Sequence, residues 1–314
     1  MQTVAVARNA MATRFEIVLH GDNFPALRAA GDEALDEIQR IEAQLSLYQP
    51  TSEVSRMNAL AAREAVRVTP ELFRLLQQAK QLHRETEGAF DITIAPLVRC
   101  WGFMGGTGQM PSAKALAEAR KVVGMNLVEL DEGNFTVRFA REGVMLDFGA
   151  IGKGYAVERA AELLREAGVT SALINGGTST VYALGRPPDI ESWKVTIELP
   201  ADSSDGKRER LATVPLRDEA MSVSAVWGKS FESAGKTLGH VLDPRTGEPA
   251  AHALLAAVAL PSATETDALS TALLVHAGQD MERFAGLRDG IRLLAVNKAE
   301  QGLDLKTKGI TVAH

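Results

Sequence analysis

Asp147-Phe-Gly-Ala-Ile-Gly-Lys-Gly154 joins an apolar run, residues 143–146, to a helical pattern. Apolar residues recur at spacings of three to four from Tyr155 to Ala167, which predicts a helix. The glycines let a ligand approach the backbone closely, and a helix N-terminus favours an anion. Lys153 adds a positive charge at this point, and Asp147 adds a carboxylate. The stretch therefore predicts a strand-to-helix turn with phosphate-binding donors and a metal ligand.

A second interpretation of this stretch is purely structural. Glycine-rich turns are common where a helix packs on a sheet and no ligand is present. The stretch has neither the G-x-G-x-x-G order of a dinucleotide fingerprint nor the order of a Walker A loop. For this stretch alone, both a ligand-binding turn and a purely structural turn therefore stay open. Other parts of the sequence are needed to distinguish them.

Strands and helices are interleaved on both sides of this turn. The predicted strands lie at 13–20, 126–131, 135–140, 144–148, 171–175, 180–184, 193–199, 211–217, 253–260 and 291–296. The other predicted helices lie at 24–46, 70–86, 112–123, 266–276 and 280–288. The polar turn 201–210 makes a hairpin of the strands that flank it. Because many neighbouring strands are hairpins, we expect an α+β fold with mixed, largely antiparallel sheets and packed helices.

The bulk composition is that of a soluble globular protein. The chain has 314 residues, of which 46% are hydrophobic and 24% are charged, enough for one large or two medium domains. The net charge of −6 and the absence of a long basic run argue against a nucleic-acid partner. The single cysteine, Cys100, excludes an intramolecular disulfide and a metal site built from several cysteines.

Membrane and export signals are missing from the sequence as it stands. No run of about 18 apolar residues predicts a membrane span. Residues 1–8 are too short and too polar for a signal peptide, and no cysteine for lipid modification follows them. We therefore expect a cytoplasmic protein with no membrane insertion, or a periplasmic one if an export signal has been removed.

An aromatic loop ends the stretch from Gly88 to Phe103. Trp101 and Phe103 flank Gly102, which can adopt backbone angles that other residues avoid. Two rings on such a loop can sandwich a flat heterocycle. A core tryptophan beside a turn is the structural alternative. Aromatic residues make up only 5% of the chain, so two of them at one glycine favour a ligand.

Oxygen-bearing side chains cluster in residues 264–276. We expect Thr266 to cap a helix and Asp267 to lie in its first turn. Thr271, four residues after Asp267, shares its face, and Ser270 lies beside them. A carboxylate with hydroxyls is a hard-oxygen set that suits Mg²⁺. The same residues also fit a capping aspartate on an ordinary polar helix face.

Two shorter stretches also carry polar groups. His240 precedes the turn Asp243-Pro-Arg-Thr-Gly247, and its ordinary pKa suits a general base, although a lone histidine is more often structural. The segment Asn175-Gly-Gly-Thr-Ser-Thr180 brings three hydroxyls to the end of a predicted strand. It fits either a pocket wall or a simple turn.

Taken in order, these stretches resemble the FAD:protein FMN transferase family, the ApbE-like flavin transferases. Seven segments carry the resemblance and span nearly the whole chain: Met11–Phe15, Leu47–Asn58, Gly88–Phe103, Asp147–Tyr155, Leu173–Gly177, His240–Pro249 and Thr266–Gly278. The resemblance implies a single domain over residues 1–314, with an α+β architecture related to the T-fold and a cleft that holds FAD.

The resemblance also implies which residues form the site. The FAD-binding residues would be Met11, Tyr48, Trp101, Gly102, Phe103, Asp147, Lys153 and Leu242. The Mg²⁺ ligands would be Ala150 through its backbone carbonyl, Asp267 and Thr271, with Ser270 as a weaker candidate. His240 and Asp267 would be the catalytic residues.

The implied activity is Mg²⁺-dependent transfer of FMN from FAD to a threonine or serine hydroxyl of an acceptor protein, with release of AMP. Mg²⁺ and Lys153 would neutralise the charge that develops on the pyrophosphate. Residues 221–228 depart from the Thr-Ser-Gly stretch that the family often has before the His240 turn. Two alternatives stay open: a Mg²⁺-dependent pyrophosphatase that hydrolyses FAD to FMN and AMP, and a non-catalytic FAD-binding protein. Nothing in the sequence identifies the acceptor.

Overall fold

An antiparallel eight-stranded sheet forms the middle of the structure. The structure is a computed structural model, and it describes residues 1–199, 209–228, 230–233, 236–250, 253–300 and 302–312. In spatial order its strands are β1 (Gln2–Ala10), β2 (Thr13–Gly21), β6 (Ser171–Gly176), β7 (Thr180–Gly185), β10 (Glu219–Ala225), β13 (Ala253–Leu260), β14 (Arg292–Lys298) and β15 (Leu303–Lys308). A smaller sheet has the order β3 (Val66–Arg67), β5 (Thr136–Phe139) and β4 (Val128–Asp131). Two hairpins complete the strands: β8 (Trp193–Leu199) with β9 (Glu209–Leu216), and β11 (Ser230–Ser233) with β12 (Lys236–Gly239).

The helices lie between these strands along the chain. They are α1 (Phe24–Leu45), α2 (Glu53–Leu60), α3 (Pro70–Glu85), α4 (Ala95–Cys100), α5 (Ala113–Arg120), α6 (Gly152–Glu166), α7 (Ala263–Val275) and α8 (Met281–Ala285). Helices α1, α3 and α6 are amphipathic. Helix α6 packs on both α1 and α7, and all three of α1, α6 and α7 pack on the large sheet. Helix α7 is the exception in pattern, because it is buried on nearly every side.

The large sheet separates two hydrophobic cores. Successive side chains of a strand point to opposite faces, so each central strand contributes to both. In β7, Val181 and Ala183 face the core under the hairpin β8–β9, whereas Tyr182 and Leu184 face the core under the helices. The same alternation in β10 directs Ser222 and Ser224 toward α7. The sheet therefore brings polar side chains to the helix side at one end of the molecule.

The predicted fold class is confirmed, and most predicted elements are present with ends that differ by a few residues. The predicted hairpin corresponds to β8–β9, while residues 201–208 of its turn lie outside the described residues. The single-domain assignment stays a prediction. Among the described residues, no helix is both long and apolar enough to cross a membrane.

Residues 144–148 are not a strand, contrary to the prediction. Leu146 N donates to Asn58 Oδ1 at 2.7 Å, and Asn58 Nδ2 donates to Leu146 O at 3.1 Å. Asp147 N donates to Ile92 O at 2.7 Å. The backbone of this segment is thus hydrogen-bonded by the Asn58 side chain and the Ile92 carbonyl, not by a neighbouring strand. The predicted strand 126–131 likewise starts with a 3₁₀ turn, Met125–Leu127.

The predicted start of α7 at Thr266 is also wrong. The helix begins at Ala263, and the N-cap is Ser262, whose Oγ accepts a hydrogen bond from Glu265 N at 3.2 Å. Thr266 instead turns its hydroxyl inward, where it lies 2.8 Å from Ser222 Oγ. Asp267 is consequently one turn deeper in the helix than expected. Its carboxylate therefore does not interact with the start of α7, and it accepts a hydrogen bond from the first turn of α6 instead.

Candidate active site

A cleft of about 1040 Å³ opens at the end of the large sheet, between the hairpin β8–β9, α7 and the segments that precede α4 and α6. Most of the predicted site residues line it: Tyr48, Phe103, Asp147, Ala150, Lys153, His240, Leu242, Asp267 and Thr271. These residues come from distant parts of the chain. The fold therefore brings most of the predicted site together in one cavity.

Asp267 lies at the bottom of this cleft, and its carboxylate caps α6. Its Oδ2 accepts a hydrogen bond from Gly154 N at 2.9 Å. The Thr180 hydroxyl and the Lys153 amide also act to lower the pKa of Asp267. The side chain is buried, and burial raises the pKa of Asp267 against the opposing effect of the Lys153 charge. The helix N-terminus that we expected to bind a phosphate is thus occupied by a carboxylate.

The close approach of α6 and α7 explains why residue 154 is a glycine. A Cβ atom there would lie 2.2 Å from Ala263 O and 2.7 Å from Asp267 Cβ. Both distances are far below van der Waals contact. The absent side chain lets the two helices meet, and this contact holds the Asp267 carboxylate against the α6 amides.

Asp147 and Lys153 form the charged wall of the cleft. Asp147 Oδ1 accepts a hydrogen bond from Gly149 N at 2.7 Å, and Lys153 Nζ lies 3.5 Å from Gly149 O. Burial raises the pKa of Asp147, although the Gly149 amide and the Lys153 charge act in the other direction. Desolvation and the Asp147 charge together raise the pKa of Tyr48 on the cleft rim. The charge of the Lys153 ammonium therefore favours the ionised form of two carboxylates, Asp147 and Asp267.

His240 enters the cleft from a tight turn. Gly247 N donates to Asp243 O at 2.7 Å, and Leu242 pairs with Pro249 in an isolated bridge. The His240 ring stands edge-on to Phe103, with 6.5 Å between ring centroids. An imidazole and a phenyl ring thus share one wall of the cavity.

Four predicted site residues do not line the cleft: Met11, Trp101, Gly102 and Ser270. Trp101 is only 1% exposed, and its Nε1 donates to Gly247 O at 2.7 Å. The expected sandwich of a ligand between Trp101 and Phe103 therefore does not match the geometry, because Trp101 packs behind the cleft wall. Gly102 has a φ of +69°, the left-handed conformation that its position in the loop requires. Met11 N is tied to Glu42 Oε1 at 2.7 Å, next to Ala12, which does line the cleft.

The comparisons with known proteins agree with this geometry. The model of the ApbE family matches residues 11–295. The chain belongs to the ApbE family. It is 27% identical over 98% of its length to the FAD:protein FMN transferase of Haemophilus influenzae, of which it covers 90%. It is 32% identical over 75% of its length to a FAD:protein FMN transferase of Klebsiella pneumoniae, of which it covers 73%.

Solved structures of ApbE proteins share the fold. The apo form of the flavinyl transferase ApbE of Pseudomonas stutzeri superposes with a TM-score of 0.84 at 29% identity, covering 98% of this chain and 94% of that one. The ApbE protein of Thermotoga maritima gives a TM-score of 0.85 at 28% identity, covering 97% and 96% of the two chains. The α+β architecture of this ApbE chain is therefore the architecture of the family.

The structure adds Ser224 to the site of this ApbE chain, a residue that the sequence did not indicate. Ser224 Oγ lies 2.8 Å from Ser270 Oγ and 3.1 Å from Thr271 Oγ1, and Ser224 lines the cleft. The segment Asn175–Thr180, for which a pocket wall and a simple turn were both open, lines the cleft. The alternation Ser222-Val-Ser224 was the available signal, since it is typical of a strand with one polar face.

Asp91 also lines the cleft and was not predicted. Its Oδ1 accepts hydrogen bonds from Thr93 N at 2.7 Å and Thr93 Oγ1 at 2.6 Å, and its Oδ2 lies 3.1 Å from His83 Nδ1. This arrangement fixes the backbone around Ile92, whose carbonyl holds Asp147 N. The His83–Asp91 pair therefore supports the segment that presents Asp147.

The oxygen atoms around Asp267 are of the kind that a magnesium ion prefers. The described residues contain no group of three or more histidine, cysteine, aspartate or glutamate side chains that could hold a metal. Mg²⁺ needs few protein ligands, because phosphates and water complete its shell. The Asp267 carboxylate accepts a hydrogen bond from Gly154 N through Oδ2, and a carboxylate has about four lone-pair sites, so acceptor capacity is left for a cation. The Thr271 hydroxyl and the Ala150 carbonyl supply further hard oxygens at the cleft wall.

Proposed function

We propose that this chain transfers FMN from FAD to a threonine or serine hydroxyl of an acceptor protein and releases AMP, in a Mg²⁺-dependent reaction. One observation carries the proposal: a single cleft combines an ammonium, two carboxylates with raised pKa values, an imidazole and an aromatic wall. Its volume is at the upper end for small-molecule sites, as a dinucleotide requires. The names of the curated relatives, FAD:protein FMN transferase, support the same reaction.

The pyrophosphate of FAD would lie beside Lys153. The ammonium lies near two carboxylates, Asp147 and Asp267, so Mg²⁺, when bound, would have to supply the further positive charge that a pyrophosphate requires. A positive charge fixed in advance stabilises the negative charge that develops as the P–O–P bond breaks. Lys153 would therefore act both in binding and in the transition state.

Asp267, Thr271 and the Ala150 carbonyl would hold Mg²⁺, with Ser270 positioned behind them. Mg²⁺, when bound, supplies a Lewis acid that neutralises phosphate oxygens. Ser224 orients this group of hydroxyls, since it contacts both Ser270 and Thr271. The hydrogen bond from Gly154 N would hold Asp267 in place in this role.

The flat rings of FAD would contact Phe103, Tyr48 and Leu242. Phe103 and Leu242 belong to one small apolar cluster, and Trp101 packs beneath them. Trp101 and Gly102 would thus contribute to FAD binding indirectly, because they set the conformation of the loop that carries Phe103. Met11 would contribute by fixing the backbone next to Ala12, which lines the cleft.

His240 would accept the proton of the acceptor hydroxyl. Imidazole has an ordinary pKa close to neutral pH, which suits a general base. The hydroxyl oxygen attacks the FMN phosphorus, the bond to the AMP oxygen breaks, and the proton goes to His240. Water in place of the hydroxyl would give FAD hydrolysis, so a positioned acceptor decides the outcome.

The test is an assay with FAD, Mg²⁺ and a library of threonine-centred peptides, read by mass spectrometry for the gain of FMN and by chromatography for AMP. We expect AMP and FMN-labelled peptide in equal amounts. Lys153→Met should lower the rate by roughly 100-fold, the usual cost of one electrostatic group in a transition state. Lys114→Met, on the exposed face of α5, is the matched control and should not change it. AMP and free FMN without any labelled peptide would instead identify a FAD pyrophosphatase.

A further inference from the structure

Three side-chain hydroxyls meet where β10 packs on α7. Ser224 Oγ lies 2.8 Å from Ser270 Oγ and 3.1 Å from Thr271 Oγ1. The Ser270 and Thr271 hydroxyls also approach one backbone oxygen, Asp267 O, at 3.0 and 3.3 Å. Ser270 is fully buried, whereas Ser224 and Thr271 line the cleft. Hydrogen bonds therefore connect the interior of the molecule with the cleft at this point.

The Asp267 carbonyl cannot accept a hydrogen bond from every donor around it. It has two lone pairs, and the α-helical bond from Thr271 N uses one of them. Only one of the two hydroxyls, Ser270 or Thr271, can therefore donate to it. Each hydroxyl has a single proton, so the other hydroxyl must donate elsewhere. Within the described part of the chain, Ser224 Oγ lies within hydrogen-bonding distance of both.

Two orders of donation satisfy this count. In the first order, Thr271 donates to Ser224, Ser224 donates to Ser270, and Ser270 donates to the carbonyl. In the second order, Ser270 donates to Ser224, Ser224 donates to Thr271, and Thr271 donates to the carbonyl. The distances to Asp267 O distinguish the two orders, because the Ser270 hydroxyl at 3.0 Å is closer than the Thr271 hydroxyl at 3.3 Å. The geometry therefore favours the first order.

The order of donation decides how many lone pairs Thr271 has available for a cation. In the first order the Thr271 oxygen accepts no hydrogen bond and keeps both lone pairs. In the second order it accepts the Ser224 proton and keeps one. An oxygen ligand binds Mg²⁺ through a lone pair, and a cation repels a proton that points at the same oxygen. A cation next to Thr271 therefore strengthens the preference for the first order.

We propose that Ser224 is a positioning residue for the metal site: it accepts the Thr271 proton and thereby leaves the Thr271 oxygen with both lone pairs for Mg²⁺. The inference rests on the proposed function, since that function needs the metal. Ser224 acts on the cation through Thr271 and does not bind it. Outer partners of this kind orient the residues that bind a metal, and their loss typically weakens metal affinity by roughly 10- to 100-fold.

The experiment measures Mn²⁺ binding to the protein without FAD, from the loss of the electron paramagnetic resonance signal of free Mn²⁺. Mn²⁺ prefers the same oxygen ligands as Mg²⁺, and no turnover occurs without FAD. Ser224→Ala should weaken Mn²⁺ binding by roughly tenfold or more, and Ser224→Thr, which keeps a hydroxyl, should restore most of the affinity. Ser171→Ala is the matched control, because it removes a buried serine hydroxyl that bonds to Arg186 O away from the cleft. It should bind Mn²⁺ as the parent does.

A double-mutant cycle separates positioning from direct binding. In a Thr271→Val protein, the additional change Ser224→Ala should not weaken Mn²⁺ binding further, because the hydroxyl through which Ser224 acts is already missing. A further loss as large as that in the parent would show that Ser224 binds the metal itself, and it would overturn the inference. Thermal unfolding of each variant confirms that the compared proteins are folded.

The inference and the proposed function fail in different ways. If the parent binds no more Mn²⁺ than Asp267→Asn, the metal site is wrong, and both proposals fail with it. If Mn²⁺ binding needs Asp267 but is the same in Ser224→Ala as in the parent, only the positioning role of Ser224 is wrong.

Discussion

At the scale of single residues, the structure shows how charged groups are held close to a ligand site. Asp267 and Asp147 are desolvated, and each is held by backbone amides at the start of a turn or helix. Asp91 is held by Thr93 and His83. Hydrogen bonds to the backbone fix these carboxylates in direction, and burial makes them responsive to an added positive charge.

The His83–Asp91 pair predicts a specific dependence of stability on pH. Burial alone would lower the pKa of His83, but the hydrogen bond and charge of Asp91 outweigh it and raise the pKa. A raised pKa means that the pair stabilises the fold fully below the ordinary histidine value of 6.5, and that this contribution is lost as the pH rises through the higher folded value.

His83→Gln should therefore reduce the free energy of unfolding most at about pH 5.5 and least at about pH 8.5. Urea unfolding at several pH values measures the difference between parent and variant. His20→Gln is a suitable control, because burial lowers the pKa of His20 and reverses the sign. A difference that grows with pH for His83→Gln would contradict the assignment.

At the scale of elements, the contact between α6 and α7 decides how the site is built. Gly154→Ala should force the two helices apart, because its Cβ would overlap Ala263 O. We expect a loss of roughly 1–3 kcal/mol in unfolding free energy, as for other overpacked sites. Gly152→Ala, in the same turn, is the matched control, since its nearest contacts are 3.6 and 3.7 Å away. Equal stability of the two variants in chemical denaturation would show that the contact is not restrictive.

The hydrogen bond from Trp101 to Gly247 joins the aromatic loop to the His240 turn. Trp101→Phe keeps most of the ring but leaves Gly247 O without its buried donor. We expect a loss of about 1–3 kcal/mol in stability and weaker FAD binding, because the turn and Phe103 lose a common support. Thermal unfolding and flavin fluorescence titration measure the two effects. Phe231→Leu, which only contacts the rings, should change both much less.

Sequence patterns predict these elements unevenly, for physical reasons. The stripe of α1 and the alternation in β2 repeat over many residues, so periodicity identifies them. The segment 144–148 has a strand pattern, but the amide of distant Asn58 takes the strand partner's place. Ser262 and Thr266 are both good N-caps by type, and only packing selects Ser262.

The candidate site was predictable to a similar extent. The sequence identified Lys153 from the glycine-rich turn and Asp267 from the oxygen-rich segment 264–276, and the fold brings both residues to the same cleft. Ser224 was missed because its contact with Ser270 joins β10 to a helix far away in sequence. Asp91 was missed although its partner His83 is near in sequence, because only the fold shows that Asp91 lines the cleft. Trp101 shows the opposite error: a conspicuous aromatic residue that serves the core.

At the scale of the whole molecule, the sparse ligand set predicts that Mg²⁺ and FAD bind cooperatively. The protein offers few oxygen ligands around Asp267, and the phosphates would complete the coordination. Mg²⁺ should bind at least about tenfold more tightly to the FAD complex than to the protein alone, and by reciprocity Mg²⁺ should strengthen FAD binding by the same factor. Titration calorimetry with each ligand in the presence and absence of the other checks this. Asp267→Asn should abolish the coupling, and independent binding in the parent would refute it.

The position of β2 in the large sheet has a consequence for how the chain folds. Phe15 of β2 lies opposite Gly176 of β6, so the N-terminal strands pair with a partner from the second half of the sequence. During synthesis, β1 and β2 can form their hairpin before β6 is made. The second edge of β2 has no strand partner until α1 to α6 and β6 have been synthesised. Sheets with such distant pairings fold slowly, because a long loop must close before the contacts form. The inner edge of β2 is therefore exposed in nascent chains, and protection by a chaperone would benefit this protein most at that stage.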